Sequence, residues 1–427
     1  MFSLDVTGCL AKTITPSYGV SQPDLTGLNG TMKRHVEDLQ KEKEAGQHAW
    51  MLDPSNTHAI AQVKEVAKRV KKEKFQTVVW IGIGGSGLGP KVLQEAFEGP
   101  KTMEFIVLDT IDPAVLEMTI AMLDWKSTMV VVVSKSGGTL ESMSAFFLLW
   151  DKLKKALGGK AARHALGITD PRDGELRAFC LKHGIDMLPI PTEVGGRYCI
   201  FTPVGLLPLA LLDADVDEFC RGALDMDSSC RAKNLEDNPA ALLASIQFLL
   251  DTKKSYPIRV IMPYSQRLMS MARWNQQLIA ESLGKTEVSN PFPLAAIGTQ
   301  DQHSLLQQWM AGPRKSWHLF IREVEKPRLT VPDDLEEPFS YIAGKSFGQL
   351  LDACYDGTSR ALTSAKRPHA TISLTRLDEY HVGQLFYALL LETVLLGKLY
   401  RIDPYGQPAV EIGKKITKEI LSHGRGE

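Results

Sequence analysis

The stretch VVWIGIGGSGLG, residues 78–89, decides the fold class of this chain. It opens with the apolar run Val78–Ile83, which is typical of a buried strand, and ends in a glycine loop. A helical pattern over Pro90–Phe97 follows directly. A buried strand that runs through glycines into a helix is typical of open α/β sheets, which bind ligands at the carboxyl ends of their strands. The stretch therefore predicts a parallel sheet with a binding edge.

The alternation of strands and helices continues along the chain. Further strands are predicted at Phe105–Asp109, Met129–Val133, Ala165–Thr169, Asp186–Pro189, Ile258–Met262, His318–Arg322 and Thr371–Leu374. Helices are predicted at Ser142–Leu157, Phe201–Ala214, Gln266–Leu283, Tyr380–Leu399 and about Gln407–Leu421. Because strands and helices alternate in two successive blocks, the sequence predicts an α/β fold with two α/β sandwich domains, each a doubly wound parallel sheet.

The predicted organisation has four parts. Residues 1–50 form a polar, helix-prone N-terminal arm, residues 51–224 the first domain, residues 225–402 the second, and residues 403–427 a C-terminal helix. The boundary between the two domains is placed at the polar stretch Asp225–Asn238. On the terminal helix, the apolar spacing predicts a buried stripe of Ala409, Ile412, Ile416 and Ile420.

Composition and charge exclude several classes of function. The 427 residues are 44% hydrophobic and 23% charged, as in an ordinary folded enzyme. The net charge is −1, so no excess of basic residues indicates a nucleic acid or an acidic membrane as partner. The six cysteines show neither a CxxC pair nor metal-ligand spacing, which predicts free thiols in a reducing compartment. Without a signal peptide or a bilayer-length apolar run, the expected location is the cytoplasm.

The first glycine loop allows more than one interpretation. Gly82, Gly84 and Gly87 satisfy the GxGxxG pattern of dinucleotide-binding proteins, and Asp109 ends the next predicted strand where a ribose-binding acid would lie. Taken alone, the loop is compatible with an NAD-dependent oxidoreductase, with a tight turn required by packing, or with another phosphate site. In each ligand-binding case, the glycines let backbone amides approach an anion at the start of a helix.

A second loop follows the apolar strand Met129–Val133. The hydroxyls of Ser134, Ser136 and Thr139 flank the pair Gly137-Gly138 at the start of the next helix. Side-chain donors, free amides and a helix N-terminus at one point suit a single phosphate dianion, although an ordinary Ser/Thr helix cap would look similar. Because the two loops follow strands of one sheet, we expect them to converge at its carboxyl edge.

Six ordered motifs, spread over nearly the whole chain, resemble those of the glucose-6-phosphate isomerases. They are IGIGGSGLG at Ile81–Gly89, SKSGGTLE at Ser134–Glu141, TEVGGRYCIFTPVGLL at Thr192–Leu207, WNQQLIAESLGK at Trp274–Lys285, GTQDQHS at Gly298–Ser304 and YGQPAVEIGK at Tyr405–Lys414. The resemblance implies two sugar-isomerase domains and the reversible conversion of glucose 6-phosphate into fructose 6-phosphate. Cys199, Gly138, Gly406 and Ala409 depart from the residues that this family usually has.

The resemblance also implies a role for individual residues. Glu281 is the expected base for the C2 proton, Arg197 the stabiliser of the enediolate, and His303 and Lys414 the residues that open the sugar ring. The expected substrate-binding residues are Gly85, Ser86, Ser134, Lys135, Ser136, Thr139, Gln277 and Gln407. Neither a metal nor a cofactor is implied, since no His, Asp or Glu cluster has ligand spacing.

The resemblance finally implies a homodimer, in which the terminal helix completes the active site and the histidine comes from the neighbouring subunit. The expected partner is therefore a small phosphosugar, with no nucleic acid and no membrane. A non-catalytic phosphosugar sensor on the same domains is the remaining alternative. Retention of Glu281, Arg197, His303 and Lys414 together argues against it, because binding alone does not require a base.

Overall fold

The computed structural model of the protein describes residues 2–100, 102–288 and 291–423. Its strands are β1 Phe2–Asp5, β2 Thr77–Ile81, β3 Glu104–Leu108, β4 Thr128–Val133, β5 Ala165–Thr169, β6 Asp186–Pro189, β7 Ile258–Pro263, β8 Phe292–Ala295, β9 Ser316–Glu323 and β10 His369–Leu374. Its helices are α1 Ala11–Ile14, α2 Gln22–Glu44, α3 Thr57–Lys72, α4 Gly85–Phe97, α5 Pro113–Met122, α6 Leu140–Leu157, α7 Glu175–His183, α8 Pro203–Leu211, α9 Val216–Ser229, α10 Pro239–Lys254, α11 Met269–Leu283, α12 Gln300–Ser304, α13 Leu306–Ala311, α14 Phe347–Ser364, α15 Glu379–Tyr400 and α16 Glu411–His423.

The first sheet has the order β3-β2-β4-β5-β6, and all its strands are parallel. All six residues of β4, TMVVVV, are buried, because a parallel sheet is covered on both faces and its central strands must be apolar throughout. The chain leaves β2 toward β3 on one side and leaves β4 toward β5 on the other. The crevice between β2 and β4 is therefore the switch point at which such sheets bind ligands.

The second sheet has the order β1-β10-β9-β7-β8 and is parallel except for β1, which pairs antiparallel with β10. The predicted α/β fold with two parallel sheets is confirmed. Part of the expected N-terminal arm differs from the prediction, because Phe2–Asp5 forms an edge strand of the second sheet. Helix α9 runs through residue 225, where the domain boundary was placed, because Phe219, Ala223 and Met226 give it a buried apolar face. The division into domains remains a prediction.

Helices α9 and α15 pack closely because each contributes a glycine. A Cβ atom at Gly222 would lie 2.0 Å from the Tyr380 carbonyl oxygen, and one at Gly383 would lie 2.1 Å from that of Phe219. Helix α15 is also joined to β7 by a fully buried bidentate ion pair, in which Arg259 donates to Glu392 at 2.5 and 3.0 Å. Among the described helices, α15 is long and apolar enough to cross a membrane, but 89% of its apolar window is buried inside the protein.

The structure of the C-terminal helix shows that the predicted burial of its apolar stripe is wrong within one chain. Ile412, Ile416 and Ile420 are 68%, 49% and 67% exposed, so the stripe expected to be buried faces outward in this chain. The helix begins at Glu411, after a 3-10 turn at Pro408–Val410, and not at Gln407. Periodicity predicted the amphipathic character of this helix correctly, but a pattern within one chain cannot show what covers the apolar face.

The close packing of α9 on α15 gives a testable prediction. Gly383→Ala should destabilise the protein by about 1–3 kcal/mol, because the added methyl group would overlap the backbone of Phe219. Gly30→Ala, on helix α2 with nothing within 4 Å of the added atom, should instead stabilise it by about 0.5–1 kcal/mol. Urea unfolding of both variants measures the difference, and equal changes would contradict the close packing.

Candidate active site

Two helices begin at the switch point of the first sheet. Helix α4 follows β2 and starts after Gly84, whose φ is 59°; helix α6 follows β4 and starts after Thr139. Neither helix has a side-chain cap at its N-terminus. The two N-termini therefore lie at the same edge of the sheet, where the helix dipoles favour an anion. In α4 the amides of Ser86 and Gly87 already donate to the carbonyls of Ile83 and Gly84, at 3.3 and 3.0 Å.

The segment Ser134–Thr139, here called the hydroxyl loop, is held in shape by its own side chains. Ser134 is buried, and its Oγ lies 3.0 Å from Thr139 Oγ1. Its carbonyl accepts a hydrogen bond from Thr169 Oγ1 at 2.7 Å, and the amide of Gly138 donates to Ser136 Oγ at 3.4 Å. Thr139 does not cap α6, and its hydroxyl shares one hydrogen bond with that of Ser134, so the pair keeps one O–H to donate to a ligand.

Gly138 departs from the family pattern, and a neighbouring side chain explains in part why this position has a glycine. A Cβ atom at this position would lie 2.3 Å from Oε2 of Glu175, the first residue of α7. The adjoining Gly137, with φ of 76°, packs against the amides of Glu175 and Leu176. The Glu175 carboxylate thus occupies the space that a threonine side chain at residue 138 would fill.

Arg197 is the centre of the site. It is 3% exposed and donates through Nε to Ser282 Oγ at 2.7 Å. Its Nη2 donates to the carbonyls of Pro404 and Gly406 at 2.6 and 3.1 Å. Its Nη1 donates to Gln407 Oε1 at 2.9 Å and to Glu281 Oε2 at 3.2 Å. A buried guanidinium with these partners is fixed in position and stays charged.

Glu281 and Gln277 lie one turn apart on α11, as predicted from their spacing. Gln277 Nε2 donates to Glu281 Oε1 at 2.8 Å, so the carboxylate is held between the amide and Arg197. The Glu281 side chain is 31% exposed, and Gln277 Oε1 is buried with no hydrogen-bond partner among the described residues. The constellation thus contains a reachable carboxylate, a fixed cation and a free acceptor.

Glycines let the first loop reach this constellation. A Cβ atom at Gly84 would lie 2.9 Å from Gln277 Nε2, and one at Gly85 would lie 2.1 Å from the carbonyl oxygen of Gly196. The Cys199 thiol donates to the same Gly196 carbonyl at 2.9 Å, as a serine or threonine hydroxyl could. Burial raises the pKa of this thiol to about 12, so it remains protonated and able to donate.

Lys135 does not extend freely from the hydroxyl loop. Its Nζ donates to the carbonyl of Thr192 at 2.6 Å and to that of Val194 at 2.9 Å. These carbonyls belong to the segment that leads directly into Gly195-Gly196-Arg197. The lysine that the resemblance placed among the substrate-binding residues therefore joins two loops of the protein.

Two predicted catalytic residues lie outside this cluster. His303 is exposed on α12, whereas its neighbour Gln302 points inward and donates to Thr358 Oγ1 at 2.6 Å. Lys414 is 65% exposed on α16 and pairs with Glu411 at 2.7 Å. Within the described residues, the side-chain contacts of Glu281 are with Arg197 and Gln277 and include neither of the two.

The sequence did not reveal the groups that hold Arg197. Ser282 lies next to the expected base, and its hydroxyl also contacts Tyr198 at 3.0 Å. Lys285 donates to the Asp403 carbonyl at 2.6 Å and so fixes the loop that supplies the Pro404 and Gly406 carbonyls. Burial, and then the charge of Arg197, lower the pKa of this lysine. Backbone carbonyls have no residue-type signal, so only a structure can identify them.

Comparison with known proteins identifies the family. The model of the family described as Phosphoglucose isomerase matches residues 57–427. The chain belongs to the phosphoglucose isomerase family. It is 36% identical to a glucose-6-phosphate isomerase of Rubrobacter xylanophilus, over 92% of this chain and 94% of that protein. A glucose-6-phosphate isomerase of Thermus thermophilus is also 36% identical, over 90% of this chain and 92% of its own length.

Solved structures share the fold of this chain. A hypothetical protein of Thermus thermophilus is 32% identical and superposes with a TM-score of 0.89, covering 99% of this chain and 100% of that chain. A glucose-6-phosphate isomerase of Chlamydia trachomatis, 21% identical, has the same fold with a TM-score of 0.84, over 100% of this chain and 89% of that chain.

Membership of the phosphoglucose isomerase family removes the need for the dinucleotide interpretation of the first loop. Asp109, the expected ribose-binding acid, pairs with Lys91 of α4 at 3.4 Å. The glycines have packing roles, since a Cβ atom at Gly87 would lie 2.3 Å from the Gly82 carbonyl oxygen. The GxGxxG pattern is therefore explained by a tight turn and by close approach to neighbouring segments.

The contact between Gly85 and Gly196 can be tested directly. Gly85→Ala should push apart the glycine loop and the turn before Arg197, because the added methyl group would overlap a backbone carbonyl. A displacement of about 1 Å at such a site costs on the order of 10²-fold in turnover. Steady-state kinetics should show this loss, whereas Gly99→Ala, which meets nothing within 4 Å, should leave kcat unchanged. Full activity of Gly85→Ala would contradict the contact.

Proposed function

We propose that the chain interconverts glucose 6-phosphate and fructose 6-phosphate by ring opening and proton transfer through an enediolate, with the residues assigned below. The observation that carries the proposal is the buried Arg197 guanidinium, 3.2 Å from the Glu281 carboxylate, on a turn whose backbone lies against Gly85 at the N-terminus of α4. An aldose–ketose isomerisation requires a base for a C–H proton, a fixed positive charge for the enediolate and a phosphate site. This cluster contains groups suited to each of the three tasks.

The phosphate is assigned to the switch point of the first sheet. We assign it to the hydroxyls of Ser134, Ser136 and Thr139 and to the first-turn amides of α6, while Gly85 and Ser86 begin α4 at the same edge of the sheet. Hydroxyl and amide donors at a helix N-terminus suit a compact dianion and carry no positive charge of their own. With a net charge of −1, the chain attracts this anion by local geometry and not by its overall field.

Proton transfer is assigned to Glu281. Its carboxylate takes the proton from C2 of the open-chain aldose, the C–H electrons form the C1–C2 double bond, and the π electrons of the C1 carbonyl move to O1 to give the enediolate. The O2 proton is then transferred to O1, and the Glu281 carboxyl returns its proton to C1 as the C2 carbonyl forms. Arg197, whose Nη1 contacts Glu281 Oε2, is assigned to the oxygen that gains negative charge. Gln277, with its free buried Oε1, and Gln407, held by Arg197, are assigned to substrate hydroxyls.

Ring opening is assigned to His303 and Lys414, on the basis of the family resemblance. Both side chains are exposed, and in one chain both lie outside the Arg197 cluster. We infer a homodimer with shared active sites, in which the partner's His303 reaches the cluster and α16 closes over it. The exposed stripe of Ile412, Ile416 and Ile420 supports this assembly, because an amphipathic helix of this kind normally packs against protein.

The proposed setting is the cytoplasm, in the shared segment of glycolysis and gluconeogenesis. All six cysteines are free, and five of them are buried, as is usual for proteins of a reducing compartment. The proposed reaction uses fixed charge and proton transfer and requires neither a metal nor a cofactor. We propose no nucleic-acid or membrane partner.

One assay tests the reaction and the alternatives together. Fructose 6-phosphate is supplied to the purified chain, and glucose 6-phosphate is detected with a coupled dehydrogenase. Formation of glucose 6-phosphate supports the proposal, whereas tight phosphosugar binding without turnover would indicate the sensor. A titration with NAD covers the oxidoreductase alternative, for which specific binding of the nucleotide would be required.

The base assignment gives a prediction about Glu281→Gln. The amide cannot accept the C2 proton, so turnover should fall by the ~10²–10⁴ that a positioned proton-transfer group supplies. Phosphosugar binding should stay within a few-fold, because the phosphate contacts are unchanged. Loss of exchange between the C2 proton and deuterated solvent, followed by NMR, provides the measurement.

A matched variant controls for the substitution itself. Glu117→Gln removes a carboxylate from the exposed face of α5, which lies outside the site, and should retain wild-type exchange. Wild-type exchange in Glu281→Gln would show that another residue is the base.

If the active sites are shared between subunits, mixing two inactive variants should restore enzymatic activity. In a mixed dimer of Glu281→Gln and His303→Ala, one site receives both defects and the other receives neither. Random reassortment makes about half of the dimers mixed, each with one intact site of two, so roughly a quarter of wild-type activity should return. The variants are unfolded together, refolded and assayed, and each is treated alone as the control. A mixture that stays inactive, although mixed dimers form, would place both residues in one site of one chain.

A further inference from the structure

The side chain of Lys135 is used in an unexpected way for a lysine in a phosphate loop. Its ammonium group donates to two backbone carbonyls, those of Thr192 and Val194, at 2.6 and 2.9 Å. Two of its three N–H donors are therefore occupied by the protein itself. The contact joins the hydroxyl loop that follows β4 to a segment 57 and 59 residues further along the chain.

The segment held by Lys135 ends in the turn that presents Arg197. Gly195 and Gly196 have no side chains to fix this turn; a Cβ atom at Gly196 would meet nothing within 4 Å, and one at Gly195 would meet only a Tyr198 ring atom at 3.9 Å. The backbone of the turn is therefore located by its neighbours. On one side Gly85 lies against the Gly196 carbonyl, and on the other Lys135 holds the two carbonyls that precede the turn.

We propose that Lys135 is a positioning residue that fixes the backbone of the Arg197 turn to the phosphate loop, and that its ammonium group is not a phosphate ligand. The proposal rests on the function proposed above and deepens it. Binding of the phosphate by Ser134, Ser136 and Thr139 fixes the backbone of the loop that carries Lys135. Because the Lys135 side chain bridges to residues 192–194, the same binding event fixes the backbone that leads to Arg197.

This arrangement directs binding energy from a non-reacting group to the reacting carbons. A phosphate lies at the far end of the substrate from C1 and C2, so its contacts alone bind substrate and transition state equally. A rigid connection from the phosphate loop to the cation turns part of that energy into orientation of Arg197. A direct phosphate ligand and a positioning residue therefore differ in what their loss changes: the affinity for phosphate in the first case, and the chemical step in the second.

The experiment compares Lys135→Met with the wild type in three measurements. They are kcat with fructose 6-phosphate, the inhibition constant of inorganic phosphate, and that of a five-carbon aldonate phosphate, whose carboxylate mimics the charge of the enediolate. We expect kcat to fall roughly 10- to 100-fold, and the affinity for the aldonate to fall by a similar factor. The inhibition constant of phosphate should stay within about twofold, because the hydroxyl and amide donors remain.

Three further variants control the comparison. Ser136→Ala removes a proposed phosphate donor and should weaken phosphate binding by roughly tenfold. Lys254→Met removes a lysine that holds a remote carbonyl, that of Pro16 at 2.8 Å, and should keep wild-type kinetics. Lys135→Gln keeps N–H donors on a shorter, uncharged side chain, so it should recover part of the lost kcat and provides a second test if Lys135→Met folds poorly.

The outcomes separate this inference from the proposed function. If phosphate affinity in Lys135→Met or Lys135→Gln falls as far as in Ser136→Ala, the ammonium group is a phosphate ligand and the inference is wrong. If neither variant changes kcat, the bridge does not position Arg197, and the inference is again wrong although the enzyme is active. A wild-type chain that fails to convert fructose 6-phosphate overturns the proposed function, and the positioning role with it.

Discussion

The site depends on one buried cation. Arg197 is removed from water, and a guanidinium there is tolerated only when its N–H donors are paired and a carboxylate lies close. The partners come from two parts of the chain that are distant from Arg197: the end of α11, which supplies Ser282 and Glu281, and the loop 404–407. Because the buried charge requires these partners, the two segments and the Arg197 turn are held in one arrangement. The arrangement of the residues in the site follows from the need to pair this buried charge.

Glycine provides the second constraint, because the cation must be brought to the ligand-binding edge. The loops after β2 and β4 carry the helix N-termini, whereas Arg197 enters from a separate turn. Gly84 and Gly85 allow these segments to touch at backbone distance, against Gln277 and Gly196 respectively. Gly84 also belongs, with Gly82 and Gly87, to the pattern that resembles a dinucleotide fingerprint. A residue without a Cβ atom is needed both where backbone amides bind an anion and where two segments pack closely. The motif alone therefore cannot distinguish anion binding from close packing.

The sequence predicted those parts of the fold that depend on local pattern. Strands β2, β4 and β5 are continuous apolar runs bounded by turns, and they lie where expected. Strands β1 and β8 were missed because both are short edge strands, and β8 contains Pro293, which cannot donate to a ladder. In the site, motifs identified Arg197, Glu281 and Gln277, which the structure brings together. The carbonyls that hold Arg197 and Lys135 could not be predicted, since a backbone group is the same in every residue.

The C-terminal helix shows why a single chain gives an incomplete account of the site. Helix α16 has 13 residues, and isolated helices of about this length are marginal in water. Its isoleucines are 49–68% exposed, so the burial that normally stabilises an amphipathic helix is missing within one chain. Lys414 projects from the same helix and is paired only with its neighbour on that helix, Glu411, among the described side chains. A surface that covers the isoleucines would supply the missing burial and fix the position of Lys414 at once. The stability of α16 and the completion of the proposed site are therefore one physical problem. The homodimer proposed above would solve both parts of it, because a second copy of the chain would cover the isoleucines and supply His303.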